Sequence, residues 1–219
     1  MKTILLLAAG FFAGTAAFSQ TSTSATGSGT KWGLKVGVNL PKFSSHVEDG
    51  ENPETKTTTN FHVRGYADLP LGSMFSIQPG VALEGKGGKS TLGDTDFETN
   101  TLNIEVPINL VGKVPLGTTG TSLYLGAGPY IAYAVSGEHK IDVEDGPDTK
   151  TDIEFGDKAG DDLKPLDLGV NFLGGIQLGG GFNVGAQYGL GLNDLRPTGE
   201  GGSGKLTNRV LSFSLGYSF

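Results

Sequence analysis

The stretch NRVLSFSLGYSF (208–219) decides the fold. From Arg209 onward large residues (Arg209, Leu211, Phe213, Leu215, Tyr217, Phe219) alternate with small ones (Val210, Ser212, Ser214, Gly216, Ser218). A period of two puts each set on one side of a pleated strand, with one greasy face and one small, polar face. The pattern recurs in KWGLKVGVNL (31–40), FHVRGYADL (61–69), MFSIQPGVALEG (74–85), TLNIEVPINL (101–110), SLYLGAGPYIAYAV (122–135), PLDLGVNFLGGIQL (165–178) and GFNVGAQYGLGLN (181–193). No window keeps apolar residues at i, i+3, i+4 and i+7, so helices are not expected. The chain reads as all-β, with eight strands.

The spacers arrange those strands. They are short around 70–73, 114–121 and 179–181, and long and polar at 41–60, 88–100, 136–164 and 194–206. Short and long alternate without exception. One tight rim and one elaborate rim is the plan of an antiparallel up-and-down transmembrane β-barrel, with both chain ends on the tight, periplasmic side. A soluble lipocalin-like carrier also has eight antiparallel strands, but it turns its apolar residues inward and its charges outward. Here the non-greasy face is crowded with glycines such as Gly33, Gly126, Gly169, Gly185 and Gly189, which suits a narrow lumen. The same face carries Lys35, His62, Arg64, Asp68, Glu84, Glu105 and Asp167, nearly balanced in charge. These residues are expected to form a paired, hydrogen-bonded polar network that, with Tyr66 and Tyr124, fills the barrel. Trp32, Phe75, Phe182, Tyr217 and Phe219 all fall at the tight-turn ends of their strands, as a periplasmic aromatic girdle would.

Composition sets the outer bounds. Of 219 residues 37 are glycine, without a collagen period, and none is cysteine. The absence of cysteine excludes a disulfide framework, a thiol nucleophile and a thiolate metal site. A net charge of -7 with no basic stripe argues against nucleic acid as a partner. MKTILLLAAGFFAGTAAFSQ (1–20) has a positive start, an apolar run and the small-x-small site Ala17-Phe18-Ser19, so residues 1–19 read as a cleaved signal peptide. Residues 20–30 read as a flexible leader and 31–219 as the barrel domain, placed in the cell outer membrane and in contact with its lipid.

TLNIEVPINLVGKV (101–114), LGAGPYIAYAVSG (125–137), LGVNFLGGIQLGGGFNVGAQYGLGLNDL (168–195) and the closing NRVLSFSLGYSF resemble the PorT-type outer-membrane β-barrel family of Gram-negative bacteria. The resemblance implies an OmpA/OmpX-like eight-stranded barrel and, for the best-known member, a part in type IX protein secretion. The family's motifs are strand patterns, so the resemblance carries over no active site. Barrels that resemble this one end in an aromatic-terminated strand read by the barrel-assembly machinery, which gives the C-terminal strand and Phe219 a second role as an address.

Candidate chemistry is sparse, and no cofactor is implied. His46 lies beside Ser44, Ser45 and Asp49 on the first outer segment, a composition that a lipid A-modifying acyltransferase or deacylase could use. Closeness in sequence on a loop does not supply the hydrogen-bond reach a Ser-His-acid set needs, and no catalytic residue is assigned. The third outer loop, 138–164, holds ten acidic residues against four lysines. Asp142, Glu144, Asp145 and Asp148 are its metal-ligand candidates, since Ca²⁺ takes six to eight oxygens, but EF-hand spacing is absent. Ile141 and Val143 alternate before the DGPD turn, and Ile153 and Phe155 after it, so the loop is expected to protrude as a hairpin with a partner-binding tip. The leading expectation is a non-enzymatic barrel serving as a structural or interaction component, with an accessory role in secretion as its finer form; the lipid A enzyme and the lipocalin-like carrier are the alternatives.

Overall fold

The structure is a computed structural model that describes residues 29–46, 55–92, 95–143, 149–198 and 204–219. The described residues form nine strands: β1 (Lys31–His46), β2 (Asn60–Pro70), β3 (Phe75–Leu92), β4 (Thr95–Pro115), β5 (Ser122–Val143), β6 (Thr149–Asp152), β7 (Leu166–Gln177), β8 (Phe182–Gly191) and β9 (Lys205–Ser218). All pairings between these strands are antiparallel. Each strand but β6 pairs with two neighbours around the ring, β5 carrying β6 as a third, and β9 returns to β1 from Gly33↔Ser218 to His46↔Lys205. The result is a closed ring of eight strands, with β6 hung on the outer end of β5. Trp32 and Phe219 complete the seam: each donates its backbone N–H to the other's carbonyl, at 3.1 and 2.8 Å. Closure leaves no sheet edge in the membrane, where an unpaired backbone group would have no water to bond.

The period-two pattern sorts the two faces of this wall. Leu34, Val36, Val38, Ile104, Val106, Ile108, Leu110, Phe213 and Leu215 all point outward and are exposed. Arg64, Glu84, Lys86, Glu105 and Asp167 point inward and are buried. A water-soluble barrel would reverse this arrangement. The outward band is what a hydrocarbon solvent accepts, and the interior holds the polar atoms that solvent rejects.

Two inward glycines make room for the filling. A Cβ on Gly33 would lie 2.2 Å from the Tyr66 ring, and one on Gly185 would lie 2.1 Å from the Tyr124 hydroxyl. The Tyr66 ring and the Tyr124 hydroxyl thus take the space a side chain would fill, which is why the polar face alternates small residues with a few large ones. Prolines leave a different mark. The paired register skips beside Pro79 between β2 and β3, beside Pro107 between β3 and β4, and beside Pro129 between β4 and β5. Proline has no N–H to give to a ladder.

Where strands stop differs from the hydrophobic pattern. That pattern ends β3 at Gly85 and begins β4 at Thr101, yet β3 reaches Leu92, β4 starts at Thr95 and β5 runs to Val143. Strands of 18, 21 and 22 residues are about twice what crossing a bilayer core requires, so β3, β4 and β5 project beyond the outer surface. Above the membrane both faces are wet and the apolar alternation disappears, although the backbone ladder continues. The β5–β6 hairpin expected in the third outer loop is present, but Ile153 and Phe155 do not extend it. The hairpin ends at Asp152, and the two apolar residues turn back over the barrel mouth, where Ile153 is buried. The segment assigned to the signal peptide lies outside the described residues.

Candidate functional site: the lumen and its outer cap

β2, β3, β4 and β7 each aim alternate residues into the lumen, and the long polar ones meet there. Arg64 on β2 pairs with Glu84 on β3 and reaches Glu105 on β4 at 3.4 Å. Lys86 on β3 lies 3.0 Å from Glu105 and 2.9 Å from Asp167 on β7. The five charges form one chain, Glu84–Arg64–Glu105–Lys86–Asp167, that crosses the barrel. Neutral groups add hydrogen bonds to this chain. Asn171 donates to Glu105 at 3.0 Å, Asn208 donates to Asp167 at 3.0 Å, and Arg64 also donates to Gln187. The Lys86 ammonium sits 4.3 Å from the centre of the Tyr130 ring. Buried charges persist only when paired and hydrogen-bonded in this way.

The other network residues lie on either side of this chain. His62 donates through Nδ1 to Asn39 Oδ1 at 2.7 Å, and Asn39 donates in turn to the Gly85 carbonyl at 3.0 Å. Asp68, near the tight-turn rim, pairs with Lys113 and accepts from Gln78 at 3.2 Å. Lys35 lies apart, between the rings of Tyr66 and Tyr124, 5.2 and 5.1 Å from their centres. Tyr66 in turn shares a hydrogen bond of 2.8 Å with Ser218. Tyr124, Val111 and Leu173 pack as an apolar layer in the same barrel. Among the described residues, small cavities beside Lys35 and beneath the outer cluster each have room for about one water molecule.

Lys86, Lys113 and Tyr130 belong to the lumen and are missing from the network read in the sequence. Lys86 follows Ala82 and Glu84 in step, and continuing the period by one residue past Gly85 would have found it. Lys113 likewise continues the inward series of Glu105, Asn109 and Val111.

The outer mouth is covered by an apolar cluster. Phe43 of β1, Ile153 and Leu163 of the third outer loop and Leu195 of the last outer loop are buried together, with Phe155 and Leu206 packed against them. Backbone bonds stitch the two loops to each other and to the barrel: Lys164 N–H to the Leu195 carbonyl at 2.8 Å, Leu195 N–H to Leu206 at 2.9 Å, and Ile153 N–H to Gly137 at 3.0 Å. Two carboxylates pin this cap. The Thr198 hydroxyl and N–H both donate to Asp157, and with Lys164 nearby they hold its carboxyl below the ordinary range. Partial burial alone would raise Asp194. Hydrogen bonds from the Leu206 N–H and from the Arg196 guanidinium and N–H outweigh that effect and hold it low.

The remaining candidates are scattered. The His46 backbone pairs with Lys205 at the outer end of β1, with Ser44 and Ser45 opposite Thr207 and Leu206, while Asp49 lies outside the described residues. Asp142 lies 3.2 Å from Lys140 on the outer part of β5. Glu144, Asp145 and Asp148 lie outside the described residues, and no three metal-ligating side chains gather among the described ones. The five aromatics of the expected girdle are all exposed at the tight-turn rim. There Phe182 meets Tyr217 edge-on at 5.0 Å, and Tyr217 stacks on Phe219 at 6.4 Å.

Comparison with known proteins agrees with this architecture. Residues 18–196 match the family described as outer membrane protein beta-barrel domain. No curated protein matches the chain. Among solved structures, the outer membrane protein OprG from Pseudomonas aeruginosa is similar at 12% identity and a TM-score of 0.50, over 88% of this chain and 97% of that one. The Ail protein of Yersinia pestis is similar at 12% identity and a TM-score of 0.42, over 86% and 98%. Neisserial surface protein A is similar at 13% identity and a TM-score of 0.45, over 87% and 97%. At these identities OprG speaks for the fold alone.

Proposed function

The chain belongs to the outer membrane protein beta-barrel domain family, and from that premise we propose that it is a non-enzymatic interaction component of the outer membrane whose working surface is its outer cap. One observation carries this reading. The third and last outer loops are folded onto each other around Phe43, Ile153, Leu163 and Leu195, which makes a built platform of segments that read as solvated loops. Asp152, Glu154, Asp157 and Asp162 of the acidic third loop are exposed, giving a negatively charged surface for a protein partner. The charged chain through the lumen supports the same reading, because it fills the space a transported molecule would need.

The finer role, accessory to protein secretion, rests on the resemblance to the PorT-type family. β9, with Tyr217 and Phe219 exposed at the tight-turn rim, is the strand we expect the barrel-assembly machinery to engage. Co-purification from the native membrane tests the interaction reading. The whole protein should bring down a stoichiometric protein partner, and a variant with residues 138–164 replaced by a short turn should lose it while keeping the barrel's heat-dependent gel mobility. His46→Ala should leave the lipid A mass spectrum unchanged. A changed lipid A profile would replace this reading with the enzyme.

A further inference from the structure

Lys35 and Arg64 face each other directly across β1 and β2, both on the lumen side. Like charges opposite each other on one sheet face repel, so each needs an opposing partner. Arg64 has Glu84 and Glu105. Lys35 has no carboxylate within ion-pair distance among the described residues, and its ammonium sits between the faces of Tyr66 and Tyr124. A small cavity opens beside this pair, lined by Lys35, Arg64, His62, Gln187, Ser212 and Tyr124. Two of the lining side chains are nine-tenths or more buried and carry unused donors: the Arg64 Nε–H and the Ser212 hydroxyl have no hydrogen-bond partner. A buried donor left unmade is costly, and here two stand beside an ammonium that also lacks an acceptor.

We propose that this cavity is an anion site, taking one halide-sized monovalent anion between Lys35 and Arg64, with Ser212 as its neutral donor. The anion would accept from all three groups and relieve the repulsion across the β1–β2 rung. Size and charge set the class. The cavity has room for about one water, which excludes organic anions and sulfate. Glu84 and Glu105, beyond Arg64, disfavour a second negative charge. The site is independent of the outer cap and of any partner there.

The test uses the full-length protein folded in detergent, with bromide as the probe in crystals and chloride-35 NMR line broadening in solution. A bromide anomalous peak is expected in the cavity beside Lys35 and Ser212, and bromide should compete away the chloride broadening. Lys35→Met should weaken halide binding on the order of tenfold or more, the worth of one hydrogen bond to a charged group. Ser212→Ala, which removes a single hydroxyl and should fold normally, should weaken it by a smaller factor. A water alone in the cavity at high bromide, or chloride broadening unchanged in Ser212→Ala and in folded Lys35→Met, would overturn the site.

Discussion

Lys86 Nζ lies 2.9 Å from Asp167 Oδ2, joining β3 to β7 across the lumen. Neither strand is a neighbour of the other in the sheet, so this contact spans the barrel rather than following its wall. The same ammonium holds Glu105 at 3.0 Å. One lysine thus closes the lumen from two sides.

Replacing Lys86 with Met should therefore be severe. It leaves Glu105 and Asp167 buried with fewer cations than carboxylates, a loss of about 3–5 kcal/mol when one partner of a buried pair is removed. Urea-induced loss of the compact gel form would measure it. The triple replacement of Lys86, Glu105 and Asp167 by apolar residues of similar size should recover most of that loss.

Gly33→Ala should destabilise the barrel by about 1–3 kcal/mol, as overpacking does, because its new Cβ would meet the Tyr66 ring at 2.2 Å. The cost should fall when Tyr66 is also shortened to Ala. A double-mutant cycle on folded-fraction gels reads this coupling, and additive effects would mean that Gly33 matters for another reason.

How much of this was legible in the sequence depended on depth in the membrane. Where a strand separates lipid from a filled lumen, alternation is enforced on every residue, so Leu34, Lys35 and Val36 could each be assigned a side. Beyond the outer surface nothing enforces it, and the outer ends of β3 and β4 went unread; Lys86 keeps the inward period and was hidden only because the pattern was ended at Gly85. The cap was missed for a related reason. Ile153, Leu163, Leu195 and Leu206 are single apolar residues in polar surroundings, and only the folded loops bring them together.

Leu195→Ala should loosen the cap and leave the barrel intact. Leu195 is the most deeply buried member of the apolar cluster, so its truncation costs about 2–5 kcal/mol locally. Amide exchange of Lys164 and Leu195 should accelerate, while amides of β1 and β9 within the ring keep their protection.

Acid should release the same cap. Asp194 and Asp157 both titrate below their ordinary values in the folded state. A depressed carboxyl contributes its stability above the unfolded-state value near 3.9, and loses it as pH falls through the folded value. Cap protection should therefore be flat from neutral pH down to about pH 5 and fall only in stronger acid. Asp194→Asn should lower protection at neutral pH and flatten the acid limb, as followed by amide exchange of Leu206.

The central claim is that the barrel is filled by its own side chains and acts through its outer surface rather than as a channel. Planar-bilayer recording of the purified, folded protein tests it most directly. The account predicts a quiet baseline with no resolved steps under applied voltage. A steady, voltage-proportional current from the wild-type protein, lost on unfolding, would contradict it.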